Sequence, residues 1–171
     1  MKIYDLYTDA GGTILADGKK LGKDDLCVEA IGTIDEVNSF LGLIYAQLID
    51  DDLKEIIDAI QRNLCRINSF LGNAQMSFEE YRVKAIEKMI QKLEADLTPL
   101  SNFILSGSGL LSAQIHFARA LVRTAERRAG ALKVENKNIL PFLNRLSDLL
   151  FQMARTVDKR EQRSERLWTG G

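Results

Sequence analysis

The densest run of chemically capable side chains lies between His116 and Arg128. Wound as a helix, His116, Arg119, Arg123, Glu126 and Arg127 fall three or four residues apart and share one face. Leu111, Ile115, Ala118, Leu121, Val122 and Ala125 fall on the other side. A guanidinium stays charged at physiological pH and forks onto phosphate oxygens, so two arginines one turn apart on this face suit a polyanion. The competing reading is a solvated charged face on which Glu126 offsets the arginines. A second ridge, Asn144, Ser147, Asp148 and Arg155, runs beside Leu143, Leu146, Leu149, Leu150, Met153 and Val157. It is either a wet face or a set of buried polar groups, each of which then needs a partner. His116 reads as a packed or interface residue rather than a ligand.

Long helices must carry these groups, because the only prolines are Pro99 and Pro141. The spacing of apolar residues predicts five helices after an N-terminal loop over about residues 5–24. They run from Asp25 to Ile49, Asp52 to Gly72, Ser77 to Leu97, Ser108 to Gly130 or a turn beyond, and onward from Asn138. Ser77 followed by Glu80 fits a capping box; Asn138 suits an N-cap, with Pro141 in the first turn, where its missing N–H does no harm. Strand-like alternation is weak throughout, so the fold class is all-α, a helical bundle in one domain over residues 1–171. The tail, residues 158–171, alternates charge and then presents Leu167 and Trp168. It reads as a frayed, solvated helix end, unless Trp168, the only tryptophan, docks on a neighbouring subunit or a ligand.

With 171 residues, 46% hydrophobic and 27% charged, the chain can build one real core. A net charge of −1 offers no reason to expect nucleic acid, so an anion site must be a local cluster. The opening residues Met1 to Asp5 lack an apolar signal region, and no stretch approaches the roughly 18 apolar residues of a membrane span. These features predict a cytoplasmic protein without membrane partners. Cys27 and Cys65 read as small buried residues, not as a disulfide or a metal site.

Three blocks together resemble the PduO-type ATP:cob(I)alamin adenosyltransferase family. They are Val28 to Ser39, then Phe103-Ile104-Leu105 through Arg123-Thr124-Ala125-Glu126-Arg127, then Phe142 to Phe151. The resemblance implies a five-helix bundle assembled as a homotrimer, with active sites between subunits. It implies transfer of the 5′-deoxyadenosyl group of ATP to the cobalt of reduced cobalamin, cobalt(I), with release of triphosphate. ATP, cobalamin and Mg²⁺ are then the small-molecule partners, and a cobalamin reductase a further one. By the same resemblance Arg123 contacts the ATP phosphates, and Asn144 lines the nucleotide site. Asp35 and Arg119 form an inter-subunit ion pair beside the corrinoid, and Phe103 occupies the lower face of the corrin. Glu126 and Arg127 match further motif positions, with Glu126 placed to orient arginines, and Lys23 stands where a basic residue often lies near the nucleotide. No metal ligand is expected among the side chains.

Departures accompany the resemblance. The family's loop Thr-Lys-x-Gly-Asp-x-Gly-x-Thr reads here Asp5-Leu6-Tyr7-Thr8-Asp9-Ala10-Gly11-Gly12-Thr13. Asp9, Gly11 and Thr13 persist; Leu6 replaces the lysine and Thr8 the first glycine. Leu105-Ser106-Gly107-Ser108 replaces Leu-Pro-Gly-Gly, and Thr124 replaces the second arginine of Arg-Arg-Ala-Glu-Arg. Lys19, Lys20 or Lys23 could compensate. These changes motivate a rival reading, a non-catalytic corrinoid-binding or structural relative. A ferritin-like di-iron bundle is excluded, because Glu-x-x-His pairs are needed and His116, the only histidine, has Ala113 three residues before it. A P-loop enzyme is excluded too, since Gly-x-x-x-x-Gly-Lys-Ser/Thr is absent.

Overall fold

The computed structural model describes residues 6–169. Asp5, the rest of the chain's opening and the two final glycines lie outside the described residues. A four-residue helix, α1 (Leu6–Asp9), leads into a hairpin of β1 (Gly12–Ile14) and β2 (Lys20–Gly22). Five long helices follow: α2 (Leu26–Gln47), α3 (Asp51–Leu71), α4 (Glu80–Glu94), α5 (Leu110–Ala131) and α6 (Ile139–Arg160). Two-residue strands, β3 (Ile104–Leu105) and β4 (Arg166–Leu167), flank α5 and α6. The expected bundle of five helices is present, with two small antiparallel sheets added to it.

Each long helix follows from an apolar stripe. In α3, Leu53, Ile57, Ile60, Leu64 and Ile67 recur at helical spacing and are buried. Helix α5 packs between α2 and α6, α6 also meets α4, and α2 meets α3. Its inward face is largely small, Ala118, Ala125 and Ala129 beside Ile115 and Val122, all buried, which suits close packing against both neighbours. Leu143, Leu146, Leu149, Leu150 and Met153 of α6 complete the core. Among the described residues no helix is long and apolar enough to cross a membrane.

Helix ends correct several expectations. The first helix, expected from Asp25, starts at Leu26, and Asp25 caps it, its carboxylate accepting from Cys27 N–H at 2.8 Å. The capping box at Ser77 and Glu80 does not form: α4 starts at Glu80, and the Ser77 hydroxyl donates to the Glu79 carboxylate. The reason is Phe78, which is buried and whose carbonyl accepts from the side chains of Asn136 at 3.1 Å and Asn138 at 3.0 Å. Anchoring Phe78 holds Glu79 extended, and it diverts Asn138 from capping α6. Pro141 does fall in the first turn of α6. Cys65 is exposed, not buried, and Cys27 is half-buried with its thiol on the Leu71 carbonyl; both are free.

The tail is not a frayed helix end. Helix α6 stops at Arg160, and Gln162 turns the chain in the left-handed region, φ 56°. The chain then runs back so that Ile104 pairs with Leu167 and Leu105 with Arg166. The expected N-terminal loop likewise contains the β1–β2 hairpin, tied to the end of α3 by Ala16 N–H on Gly72 C=O at 2.9 Å.

Candidate functional site

Helix α5 puts its charged face along two depressions and under the edge of a third. The largest, about 760 Å³, is lined by Leu100, Phe103, Ile104, Arg119, Phe151 and Trp168. A second, about 410 Å³, is lined by Arg123, Glu126, Arg127, Gly130, Leu140 and Asn144. A third, about 370 Å³, lies where the hairpin meets α2 and α5, with Thr13, Lys23, Glu29, Glu36 and Thr124.

The large cleft is apolar-walled with one cation. Phe103 leaves the loop before β3 at 79% exposure and stacks edge-on with Trp168, ring centroids 6.2 Å apart. The Trp168 N–H donates to the Phe103 carbonyl at 2.8 Å, which extends the β3–β4 pairing by one bond. Arg119 reaches the cleft from α5, and its Nε is buried without a hydrogen-bond partner. Burial, and then the neighbouring Arg123 charge, push its guanidinium below the usual value. His116 shares the charged face by spacing but is buried against Phe151, ring centroids 5.8 Å apart. Burial and the Arg119 charge lower its pKa, which favours the neutral imidazole.

In the second depression Asn144 Nδ2 donates to Glu126 Oε1 at 3.1 Å, which orients both side chains across α5 and α6. Arg127 donates to Thr124 Oγ1 at 3.0 Å, so the residue standing in place of the family's second arginine holds the next one. Arg123 is exposed. Among the described arginines, Arg119 and Arg123 alone make no hydrogen bond or ion pair with a described residue. Arginines elsewhere on this surface have found partners.

Of the N-terminal candidates, Thr13 and Lys23 share the third depression with Thr124 of α5. Asp9 closes α1 and is exposed, Gly11 adopts φ 84° in the turn before β1, and Thr13 lies on β1. Lys23 is exposed, and its N–H on the Gly11 carbonyl at 2.9 Å fastens the hairpin's exit to its entrance. Asp35 stands exposed on α2 with no ion-pair partner among the described residues, and it does not meet Arg119 within the chain. Sequence reading missed Phe151 as a wall of the cleft, and Arg155 and Glu165 beside it. Arg155 had appeared only as one member of a polar ridge, and Glu165 lay in a tail expected to be solvated.

Fold and site together define a helical-bundle protein with two anion-ready guanidinium groups between an apolar, aromatic cleft and a polar depression. A family model described as cobalamin adenosyltransferase matches residues 3–157. A corrinoid adenosyltransferase from Citrobacter freundii is 36% identical over 169 residues, covering 90% of this chain and 94% of its own length. One from Bacillus subtilis is 38% identical over 171 residues, covering 94% and 88%. The solved structure of a variant PduO-type ATP:corrinoid adenosyltransferase from Lactobacillus reuteri, complexed with cobalamin and ATP, superposes with a TM-score of 0.92. It is 28% identical and covers 99% of this chain and 100% of its own. The chain belongs to the cobalamin adenosyltransferase family.

Proposed function

We infer that this chain transfers the 5′-deoxyadenosyl group of ATP to the cobalt of reduced cobalamin, forming adenosylcobalamin and triphosphate. The observation that carries the assignment of roles is the unpartnered pair Arg119 and Arg123 on one face of α5. In the reaction cobalt(I), part of the substrate, supplies the electron pair that forms the cobalt–carbon bond at C5′. The C5′–O bond breaks, and its electrons leave with the triphosphate. No protein nucleophile is needed. The protein must hold C5′ against the metal and stabilise charge growing on the leaving group.

In this reading Arg123, with Arg127 beside it, takes the phosphates in the depression that Asn144 and Glu126 close. Helix α1, the hairpin and the turns beside it supply Asp9, Gly11, Thr13 and Lys23 as the rest of the nucleotide loop, residues 1–24. The apolar cleft takes the corrin, with Phe103 and Trp168 as its aromatic wall. Phe103 under the ring keeps an axial base away from the metal, which makes cobalt easier to reduce. Asp35 of one subunit pairs with Arg119 of the next in a homotrimer. Leu43 and Phe117, both more than half exposed, are suited to burial at that contact. Mg²⁺ travels with the triphosphate: among the described residues no group of three or more histidines, cysteines or carboxylates is placed to hold an ion alone. A reductase delivers cobalt(I), and the proposal places the protein in the cytoplasm, where ATP and reductant meet.

A second reading, a corrinoid-binding relative without efficient turnover, draws on Leu6 and Thr124 where the family carries cations. An anaerobic assay with chemically reduced cobalamin, Mg²⁺ and ATP separates the two. ATP-dependent conversion of the cobalt(I) spectrum to that of adenosylcobalamin supports transfer. Cobalamin binding without ATP-dependent product supports the second reading and removes the first.

A further inference from the structure

Beneath the large cleft, α6 buries a charge that the transfer chemistry does not use. Arg155 is 3% exposed, deeper than any other arginine among the described residues. Its three nitrogens reach three different segments. Nε donates to Glu165 Oε1 at 2.6 Å, in the tail; Nη2 donates to the Thr98 carbonyl at 2.7 Å, in the loop that leads to Phe103; Nη1 donates to Gln152 Oε1 at 3.3 Å, on its own helix. The guanidinium also lies 6.0 Å from the Phe151 ring, whose side chain lines the cleft. One cation thus touches the supports of both aromatic walls.

Apart from Arg155, the tail is held by surface contacts: Arg166 Nη1 donates to the Ser106 carbonyl at 3.0 Å, and Arg163 N–H to the Asp158 carbonyl at 2.8 Å. Residues 161–169 are all exposed except Glu165. The β3–β4 pairing is two residues long on each side, and a strand pair that short is marginal by itself. A buried guanidinium, by contrast, cannot be left uncompensated without a large desolvation cost. Glu165 is the carboxylate that compensates it. The tail must therefore return to α6 for Arg155 to be paired, and in returning it brings Trp168 onto Phe103.

We propose that Arg155 is the positioning residue of the corrinoid cleft, fastening the Thr98–Phe103 loop and the Glu165–Thr169 tail to α6 so that Phe103 and Trp168 face the ring in one fixed relation. The proposal rests on the cleft's being the corrinoid site. Arg155 touches no substrate; it acts through the two walls. A lysine cannot replace it, because a single ammonium cannot span the three acceptors in a fork.

Trp168 is the only tryptophan and reports on the tail directly. Glu165→Ala removes the tail's anchor at a partly exposed position; because it also leaves Arg155 without its carboxylate, a lower melting temperature is expected, and far-UV dichroism checks that the helices stay folded at the assay temperature. Its expected effects are a red-shifted Trp168 emission that acrylamide quenches more readily, and a KM for reduced cobalamin raised about ten- to a hundredfold, the scale on which misplaced binding groups act. The KM for ATP should stay put, a split that general loosening of the fold does not produce. Glu165→Gln, which keeps an acceptor oxygen without the charge, should restore part of the Trp168 protection. Unchanged Trp168 emission and quenching in Glu165→Ala overturn the clamp. So does a released tail with unaltered KM for cobalamin, provided Phe103→Ala raises that KM. If Phe103→Ala also leaves it unaltered, the cleft is not the corrinoid site and the underlying reading fails instead.

Discussion

Replacing Arg123 by alanine separates chemistry from folding more cleanly than any other change on α5. The side chain is exposed and bonds to no described residue, so truncation leaves no buried group unsatisfied and opens no cavity. Substitutions of that kind stay within about 0.5 kcal/mol of wild-type stability. The sign even tends toward stabilisation, because the Arg123 charge opposes the half-buried Arg119 guanidinium. The reaction feels the change quite differently. Negative charge gathers on the departing triphosphate, and loss of one preorganised donor to such charge costs about a hundred- to a thousandfold in kcat, roughly 2.7–4 kcal/mol. Arg127, one turn on and already oriented by Thr124, limits the loss without abolishing it. Arg123→Lys keeps a charge but not the fork, and should fall between wild type and alanine. The assay is anaerobic conversion of cobalt(I) to adenosylcobalamin with ATP and cobalamin varied in turn, beside a melting curve. Expected are a collapse of kcat/KM for ATP, an unaltered KM for cobalamin and an unaltered melting temperature. Wild-type turnover in Arg123→Ala, or a loss of rate matched by a fall in melting temperature, refutes the reasoning.

Three further outcomes are expected. If the chain assembles as the proposed trimer, Asp35→Arg and Arg119→Asp should each dissociate it in sedimentation, while the double swap restores it; a double mutant no better than the singles removes that ion pair from the proposed interface. Burial raises the pKa of the Asp158 carboxyl in the folded chain, so protonation favours the fold. That contribution is full below the ordinary carboxylate value and lost as pH rises through the raised one, so Asp158→Asn should raise the melting temperature at pH 7 and lose its advantage in acid. An advantage that does not depend on pH contradicts this. Leu146, fully buried in α6, should cost about 2–5 kcal/mol as alanine in denaturant unfolding, and a cost under about 1 kcal/mol would show the core there to be loose.

The long helices were legible because their apolar stripes run for many turns; α3 alone repeats its buried aliphatic residues from Leu53 to Leu71. The strands were not, since two or three residues carry no readable alternation, and β4 pairs with a partner some sixty residues earlier. The end of α6 gave no warning either. Its left-handed turn falls on Gln162 rather than on a glycine or asparagine, so the charged run after Arg160 read as more helix. Spacing placed Arg119 and Arg123 on one face correctly. It placed His116 there too, and the reading of that residue as packed rather than ligating agrees with its burial against Phe151 of α6. The clefts themselves are formed by loop residues such as Leu100 and Phe103, whose positions depend on the tail's return. The meeting of Asp35 with Arg119 came from family resemblance alone; within one chain the two stay apart.

That Arg119 and Arg123 share α5 has a consequence for how such a protein can change over time. A helical turn advances about 5.4 Å, so four residues of rigid backbone set the offset between the aromatic cleft and the polar depression. On the proposed assignment of the two sites, the gauge between the reactants is covalent and continuous, whereas the hairpin and the β3–β4 pair are separate segments. Loops can therefore drift in sequence without changing that offset. A single residue inserted between Arg119 and Arg123 has no such freedom. It would turn the two groups about 100° out of register and leave each reactant seated with nothing aligned to it.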